Sequence, residues 1–310
     1  MKPLLPLLLI ISLAFSTTDG FAQTRQQEID SLIVLFRDAG REWDKYARQF
    51  IQIGDPAVPA LVALLENKSL RQWTRRIAAM TLNDMHSPLY IEPALKILTD
   101  RTEEPGIRNQ VTNGLKGHDL SFASEELWEV FTEESDQFFR LNVAGILCTS
   151  DTAMAYRAYR EIYPTVDGYV KQQALLNMVR LHPGESTTWF LNGLQTGDWM
   201  TANLAMDSLV STRHLIPGEL VDLYKRSGTP EEIRWRIVYV LGNRELPESL
   251  PLLVEALRNP SWLVYNEAAV RISRMQSENV IPLVKGLLND SNPQVIKNAE
   301  WVIGKKKGNY

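Results

Sequence analysis

Few side chains in this chain have the chemistry of a catalytic or metal site. The 310 residues include one cysteine and four histidines. They contain no Gly-x-Ser-x-Gly turn, no His-Glu-x-x-His pair, no phosphate-binding glycine loop and no Cys/His metal spacing. The single Cys148 lies in an apolar run, which predicts a buried, inert thiol. The sequence therefore predicts no catalytic residue, no cofactor and no metal.

The four histidines nevertheless recur at regular intervals along the chain. They are spaced by 32, 64 and 32 residues, at His86, His118, His182 and His214. A side chain of this kind suits a helix C-terminus, where it interacts favourably with the helix dipole. The alternative is a pH-responsive or metal-binding edge. Neighbouring helices lie about 10 Å apart, whereas zinc ligands lie about 2 Å from the metal, so a shared metal is disfavoured.

The spacing of the histidines reflects a repeat of 31 to 33 residues that runs through most of the chain. Each anchor residue is followed by a small or apolar residue three and seven positions later, and in every repeat but the last, which has Glu300, also four positions later; this is the spacing of one helix face. The anchors are Arg75, Arg108, Arg140, Lys171, Ala202, Arg234, Tyr265 and Ile296. A shorter apolar helix precedes each anchored helix, so the chain predicts about eight helix-turn-helix units.

One unit, from Ile53 to Met85, carries a recognisable family pattern. It reads Gly-Asp-Pro-Ala-Val-Pro-Ala-Leu, then a polar turn, then a helix with Arg, two small residues and Leu. This pattern resembles the HEAT repeat. We expect Asp55 to cap the first helix and Pro56 to occupy its first turn. The resemblance is closest here and from Ser249 to Gly304, whereas repeats between Ser121 and Pro217 keep only the period.

The resemblance implies an all-α fold, a right-handed α-solenoid of about eight HEAT-like repeats. Such units cannot bury their apolar faces alone, so each packs on its neighbours. The predicted domains are a signal peptide over residues 1–22, an N-terminal helical cap over 23–53 and the repeat solenoid over 54–310.

The signal peptide is predicted from the first 22 residues. Lys2 is followed by an apolar run from Leu4 to Phe15, and Gly20-Phe21-Ala22 provides a small-x-small cleavage site. We therefore expect export to the periplasm or the exterior, with cleavage near Ala22. The run is short for a spanning helix, which needs roughly 20 apolar residues, and no later segment suits stable membrane insertion. An uncleaved anchor is the alternative.

The formal net charge of −4 is mild. It argues against nucleic acid as a partner, because a nucleic-acid-binding face is basic.

In the HEAT family the second helices line the concave surface, which is the usual partner-binding face. Positions two, five and nine residues after each anchor lie opposite the predicted core face of the second helix. They give the predicted partner-binding set: Gln110, Asn113, Asn142, Gln173, Asp207, Arg236, Tyr239, Asn243, Glu267 and Arg274. Arg236 and Tyr239 are the favoured anchors for a partner. Trp73, Trp199 and Trp262 precede second helices, and we expect them to fill grooves between repeats.

These features favour an exported, non-enzymatic scaffold that binds a protein or an extended peptide of the cell envelope on its concave face. Two other hypotheses stay open. One is an envelope glycan-binding module. The other is an enzyme, because HEAT-like families include bilin lyases and alkyl-base DNA glycosylases, although export and the acidic charge fit both poorly.

Overall fold

The computed structural model describes residues 23–212 and 217–308. The predicted signal peptide, residues 1–22, lies outside the described residues, as does His214. Throughout the described ranges the regular secondary structure is helical, as predicted. In the same ranges no helix has both the length and the apolarity needed to cross a membrane.

A helix over residues 23–37, α1, begins the described chain. The helices that follow it along the chain are α2 (Trp43–Ile53), α3 (Val58–Glu66), α4 (Gln72–Met85), α5 (Ile91–Thr99), α6 (Pro105–Leu115), α7 (Ser124–Glu133), α8 (Gln137–Ser150), α9 (Thr152–Ile162), α10 (Gly168–Leu181), α11 (Ser186–Leu194), α12 (Trp199–Ser211), α13 (Pro217–Lys225), α14 (Glu231–Arg244), α15 (Leu250–Ala256), α16 (Trp262–Arg274), α17 (Val280–Lys285) and α18 (Pro293–Lys306).

The eight anchors mark the second helices of the repeats. Each anchor lies in one of the even-numbered helices from α4 to α18, and each is the fourth residue of its helix, as Arg75 is in α4. The apolar stripe that follows is buried: Ala78, Ala79 and Leu82 in α4 are fully shielded from solvent. Short first helices and longer second helices alternate along the chain, which confirms the predicted period.

The start of the first helix differs from the prediction at Asp55. Residues Asp55–Ala57 form a 3-10 turn, and α3 begins after it at Val58 without a side-chain cap. Gly54 enters this turn with φ of 75°, a backbone conformation that glycine adopts without a Cβ penalty. The prediction that Asp55 caps the helix is therefore wrong. Pro56 occupies the turn, and Pro59 falls in the first turn of α3.

Three of the anchor arginines fasten their second helix to the first helix of the same repeat. The Nε atoms of Arg75, Arg108 and Arg234 donate to the carbonyl oxygens ten residues earlier, at 2.7, 2.9 and 3.1 Å. Those carbonyls belong to the C-terminal ends of first helices, where the last carbonyls lack partners within the helix. At these three anchors the arginine therefore satisfies a backbone carbonyl at the end of the first helix.

Arg75 also forms a buried ion pair with the next repeat. Its Nη1 and Nη2 donate to Glu103 Oε1 and Oε2 at 2.9 and 2.5 Å, and the two side chains are only 6% and 4% exposed. These bonds hold the pKa of the Glu103 carboxyl below its ordinary value. A two-pronged contact of this kind fixes geometry as well as charge.

The chain divides into two compact units, the first ending at Ala158 and the second beginning at Tyr159. In the first unit, α4 packs on α6 and α6 packs on α8. In the second unit, α10, α12, α14, α16 and α18 pack in the same successive way. The division falls within α9, inside the range predicted as one solenoid. Second helices therefore lie side by side within each unit.

Candidate partner-binding surface

Second helices have less free surface than the helix period suggests, because neighbouring second helices of the same unit cover their flanks. The residue two positions after the anchor of a second helix faces the preceding repeat, as Arg236 in α14 shows. There Arg236 is fully buried, and its Nη1 donates to the carbonyl oxygens of Leu194 and Thr196 at 2.7 and 2.8 Å. Its Nη2 contacts Glu232. The prediction that Arg236 faces outward as a partner anchor is wrong, because its guanidinium caps the end of α11.

The other predicted residues differ in exposure. Asn113, Asp207 and Arg274 are exposed. Six are half-buried: Gln110, Asn142, Gln173, Tyr239, Asn243 and Glu267. The structure brings Asn113 and Asn142 together in the first unit, and Tyr239, Asn243 and Glu267 together in the second. For Gln110 and Gln173 the described contacts are made by backbone oxygens.

The second unit carries a row of aromatic side chains, Trp199, Trp235 and Tyr239, which we call the aromatic belt. The rings of Trp199 in α12 and Trp235 in α14 lie 6.2 Å apart between centroids, with planes 18° from parallel. Tyr239, one turn further along α14, lies 6.2 Å from Trp235. Trp199 is 54% exposed, so the belt reaches solvent. Paired aromatic rings at such distances attract each other and present a rigid apolar surface.

A polar group of Asn243, Glu267 and Arg271, the polar clamp, adjoins the belt. Arg271 Nε donates to Glu267 Oε1 at 2.5 Å and its Nη1 donates to Asn243 Oδ1 at 2.8 Å. The Arg271 guanidinium lies 4.6 Å from the centroid of the Tyr239 ring. Trp235 Nε1 donates to Glu267 Oε2 at 3.3 Å, which links the belt to the clamp. Within the clamp the positive charge of Arg271 is balanced by the negative charge of Glu267.

Local sequence features hold these side chains in place. The Asp198 carboxylate accepts from the Thr201 backbone N–H at 3.1 Å, which caps α12 and makes Trp199 its first residue. At the other end of the site, a Cβ on Gly242 would lie 2.4 Å from both Cβ and Cγ of Arg271. Gly242 therefore permits the close approach of α14 and α16 that brings Arg271 to Asn243.

Three belt and clamp residues, Trp199, Trp235 and Arg271, were absent from the predicted binding set. Trp235 and Arg271 stand one and six positions after their anchors, outside the positions selected as outward. The tryptophans at the starts of second helices could have indicated a binding surface, but they were predicted to be buried between repeats. Trp73, Trp199 and Trp262 are 47%, 54% and 65% exposed rather than filling grooves between repeats. Exposed tryptophan at the start of a second helix indicates a contact surface there.

The first unit carries a different group on its second helices, Asn109, Asn113, Lys116 and Asn142, which we call the amide–lysine cluster. Lys116 Nζ donates to Asn113 Oδ1 at 3.1 Å and to Asn142 Oδ1 at 2.8 Å. Asn142 Nδ2 donates to Asn109 Oδ1 at 2.8 Å, joining α8 to α6. Burial lowers the pKa of Lys116. The sequence predicted two of these four residues.

The histidines that the structure describes lie at helix ends, as predicted. His86 and His182 are the C-terminal caps of α4 and α10, and His86 adopts a left-handed backbone with φ of 50°. His118 lies two residues beyond the cap of α6. Across the described residues no group of three or more His, Cys, Asp or Glu side chains is placed to hold a metal ion. Cys148, predicted as buried, is only partly so.

Comparisons with known proteins agree with this architecture. A family profile described as HEAT repeats matches residues 219–304. No curated protein matches the sequence. A chain from a solved structure of Kap95p with RanGDP covers 94% of this chain, with 14% identity and a TM-score of 0.58. The match covers 47% of that chain, so the present chain spans about half its length.

Two further solved structures are less similar. Human deoxyhypusine hydroxylase in complex with glycerol has 14% identity and a TM-score of 0.32, covering 92% of this chain and 98% of its own. A designed armadillo repeat protein has 13% identity and a TM-score of 0.19, covering 80% and 99%. Similarity this low carries no inference about function.

The repeat period, the paired helices and the profile match together define an all-α repeat protein of the solenoid class. Residues 219–304 match the HEAT-repeat profile, and the described helices outside that range follow the same repeat period, as the sequence pattern predicted. This architecture suits a protein-interaction role, because successive repeats within a unit place equivalent helix surfaces side by side.

Proposed function

We propose that this chain is an exported, non-enzymatic scaffold that binds a protein partner on the exposed face of its second helices. One observation carries the proposal: the aromatic belt lies beside the polar clamp on three neighbouring second helices. Trp, Tyr and Arg are the residues that most often dominate the energy of protein interfaces. The belt supplies the first two and the clamp supplies the third.

The resemblance to a chain of the Kap95p–RanGDP structure supports the fold of such a scaffold rather than its partner. In that structure Kap95p binds RanGDP. For the present chain we propose a protein or an extended peptide of the cell envelope, engaged on the concave side that second helices line in HEAT solenoids. An enzyme that reads nucleic acid would need a basic groove, whereas the clamp balances its own charges.

Replacing Trp199 by alanine is expected to weaken partner binding strongly and to leave folding nearly unchanged. The exposed ring contributes little to the core, whereas loss of an aromatic interface residue costs about 2 kcal/mol or more, roughly a thirtyfold loss of affinity. Affinity capture from the envelope fraction of the native host, with residues 23–310 as bait, followed by titration of the captured protein, measures the effect.

Phe122→Ala is the matched control for this test. Phe122 is 77% exposed and precedes the first helix α7, so its removal tests exposed aromatic surface away from the second helices. Capture unchanged by Trp199→Ala and lost with Phe122→Ala would refute the proposed site. Retention of glycan alone by the wild-type bait would favour the glycan-binding alternative instead.

Export is a separate part of the proposal, and it rests on residues 1–22. A C-terminally tagged chain expressed in its host is expected in the periplasm or the medium, with a mature N-terminus near Gln23. Ala22→Arg should block cleavage, because signal peptidase sites require a small residue there. N-terminal sequencing of the purified product reads the result. A cytosolic chain that still begins at Met1 would overturn this part and leave the binding surface unaffected.

A further inference from the structure

The amide–lysine cluster contains a positive charge without a counter-charge. Among the described residues, Lys116 Nζ bonds only to the neutral oxygens of Asn113 and Asn142, and no carboxylate there lies within ion-pairing distance. The contrast with the neighbouring repeat is direct, since Arg75 and Lys68 in the same unit both reach carboxylates. No described carboxylate therefore balances the charge of the exposed Lys116 side chain.

A role at the helix C-terminus does not account for this geometry. Lys116 is the C-terminal cap of α6, where a lysine ordinarily interacts with the last carbonyls of its helix. Its Nζ instead reaches across to Asn142 on α8. Asn142 is itself held by its bond to Asn109, so the carboxamide oxygen that receives the ammonium has a fixed direction.

These bonds order the lysine before any ligand arrives. Fixing a free lysine side chain costs up to about 2 kcal/mol of rotamer entropy, and a site that has already met this cost binds more tightly. An ammonium has three N–H donors. Two are directed to Asn113 and Asn142, which leaves the third for a ligand.

We infer that the amide–lysine cluster binds a carboxylate group of the protein partner. The inference rests on the proposed scaffold function and specifies the chemistry of the partner, an acidic peptide segment. The carboxylate accepts from Lys116 Nζ and supplies the missing negative charge. The exposed Asn113 carboxamide offers an additional donor to the same ligand, since its Nδ2 has no described acceptor while its Oδ1 accepts from Lys116.

Synthetic peptides test the inference without the natural partner. Ac-Ala-Ala-Glu-Ala-NH2 carries a side-chain carboxylate, Ac-Ala-Ala-Gln-Ala-OH carries a terminal one, and Ac-Ala-Ala-Gln-Ala-NH2 carries neither. We expect one or both acidic peptides to shift the Lys116 Cε–Hε NMR signal of residues 23–310 at millimolar concentration. The neutral peptide should leave that signal in place. Comparison of the two acidic peptides shows whether the cluster binds a side-chain carboxylate or a C-terminal one.

Two variants of the cluster distinguish specific binding from general attraction. Lys116→Gln should weaken binding of the acidic peptide about tenfold or more, because a charge-assisted hydrogen bond is lost. Asn142→Asp is nearly isosteric and places a carboxylate beside Lys116, so it should compete with the ligand and weaken binding similarly. Because Lys116→Gln lacks the lysine signal, its peptide binding is measured from the NMR signals of other residues that shift when the wild type binds peptide. An unchanged melting temperature confirms that both variants fold.

Equal binding of neutral and acidic peptides, or unchanged affinity in both variants, would overturn the inference. Binding of tetragalacturonate with no binding of either acidic peptide would also overturn it, because the carboxylate source would be a glycan. These outcomes leave the aromatic belt untouched. Conversely, partner capture that Trp199→Ala leaves unchanged would refute the aromatic belt as the binding site and would not alter peptide binding at Lys116, so the two failures are distinguishable.

Discussion

Replacing Arg236 by methionine is expected to destabilise the second unit by about 3 kcal/mol. The fully buried guanidinium donates to the carbonyls of Leu194 and Thr196. Methionine fills a similar volume but donates nothing, and each buried carbonyl left without a donor costs about 1 to 3 kcal/mol. Urea titration of residues 23–310, followed by circular dichroism, should show the unfolding transition of this unit at lower urea.

Arg274→Met is the matched control for Arg236. Both arginines were predicted to face a partner, yet Arg274 is exposed. Its replacement should change the free energy of unfolding by less than about 0.5 kcal/mol, as is usual for surface sites. Equal stability of the two variants would contradict the assignment of Arg236 as a buried cap of α11. An Arg236→Met protein of normal stability that fails to bind would restore the sequence-based prediction.

Replacing Glu103 by glutamine is expected to destabilise the first unit by about 3 kcal/mol near neutral pH. The change leaves the buried Arg75 guanidinium without its carboxylate, and breaking a buried ion pair from one side commonly costs about 3 to 5 kcal/mol. Urea titration at pH 7 measures this loss. Glu133→Gln is a suitable control, because its ion pair with Arg101 is largely exposed and such pairs contribute little.

The same pair predicts how stability depends on pH. Because the pKa of folded Glu103 lies below its ordinary value of 4.5, the folded state binds this proton less readily than the unfolded state. The stabilisation is therefore complete above about pH 4.5 and is lost as the pH falls through the lowered folded pKa. Glu103→Gln should have a smaller loss of stability between pH 6 and pH 3 than the wild type. An identical acid profile would show that the pair contributes nothing.

The fold was largely predictable because it repeats. A single helix face is specified by four residues, and the same spacing in eight units places every anchor at the fourth residue of its helix. A prediction was wrong where the same short sequence motif is compatible with two local backbone structures. At Gly54-Asp55-Pro56 the capping pattern and the 3-10 turn use the same residue types, and the structure adopts the turn.

The binding surface was less predictable because exposure depends on neighbouring repeats. A helical period identifies the side opposite the core, but a second helix between two others is covered on both flanks as well. Position two after the anchor is consequently buried at Ile77, Arg236 and Asn298. Position five stays open at Asn113 and Asp207.

Contacts between repeats were also invisible at the sequence level. The pairing of Trp199 with Trp235 joins residues 36 positions apart at different places in their repeats. The bond from Lys116 to Asn142 likewise depends on how α6 and α8 are set against each other. The sequence shows which residue types are present on each helix, but it does not show which of them meet when neighbouring helices pack.

Site-specific photocrosslinking tests the central claim most directly. A photoreactive amino acid at Asn203 or Asn266 would stand at an exposed position of the second helices α12 or α16, and one at Asp222 or Glu255 would stand at an exposed position of the first helices α13 or α15. We expect a protein of the native envelope to crosslink from the second-helix positions and not from the first-helix positions. Crosslinking from Asp222 or Glu255 alone would contradict a partner-binding surface on the second helices.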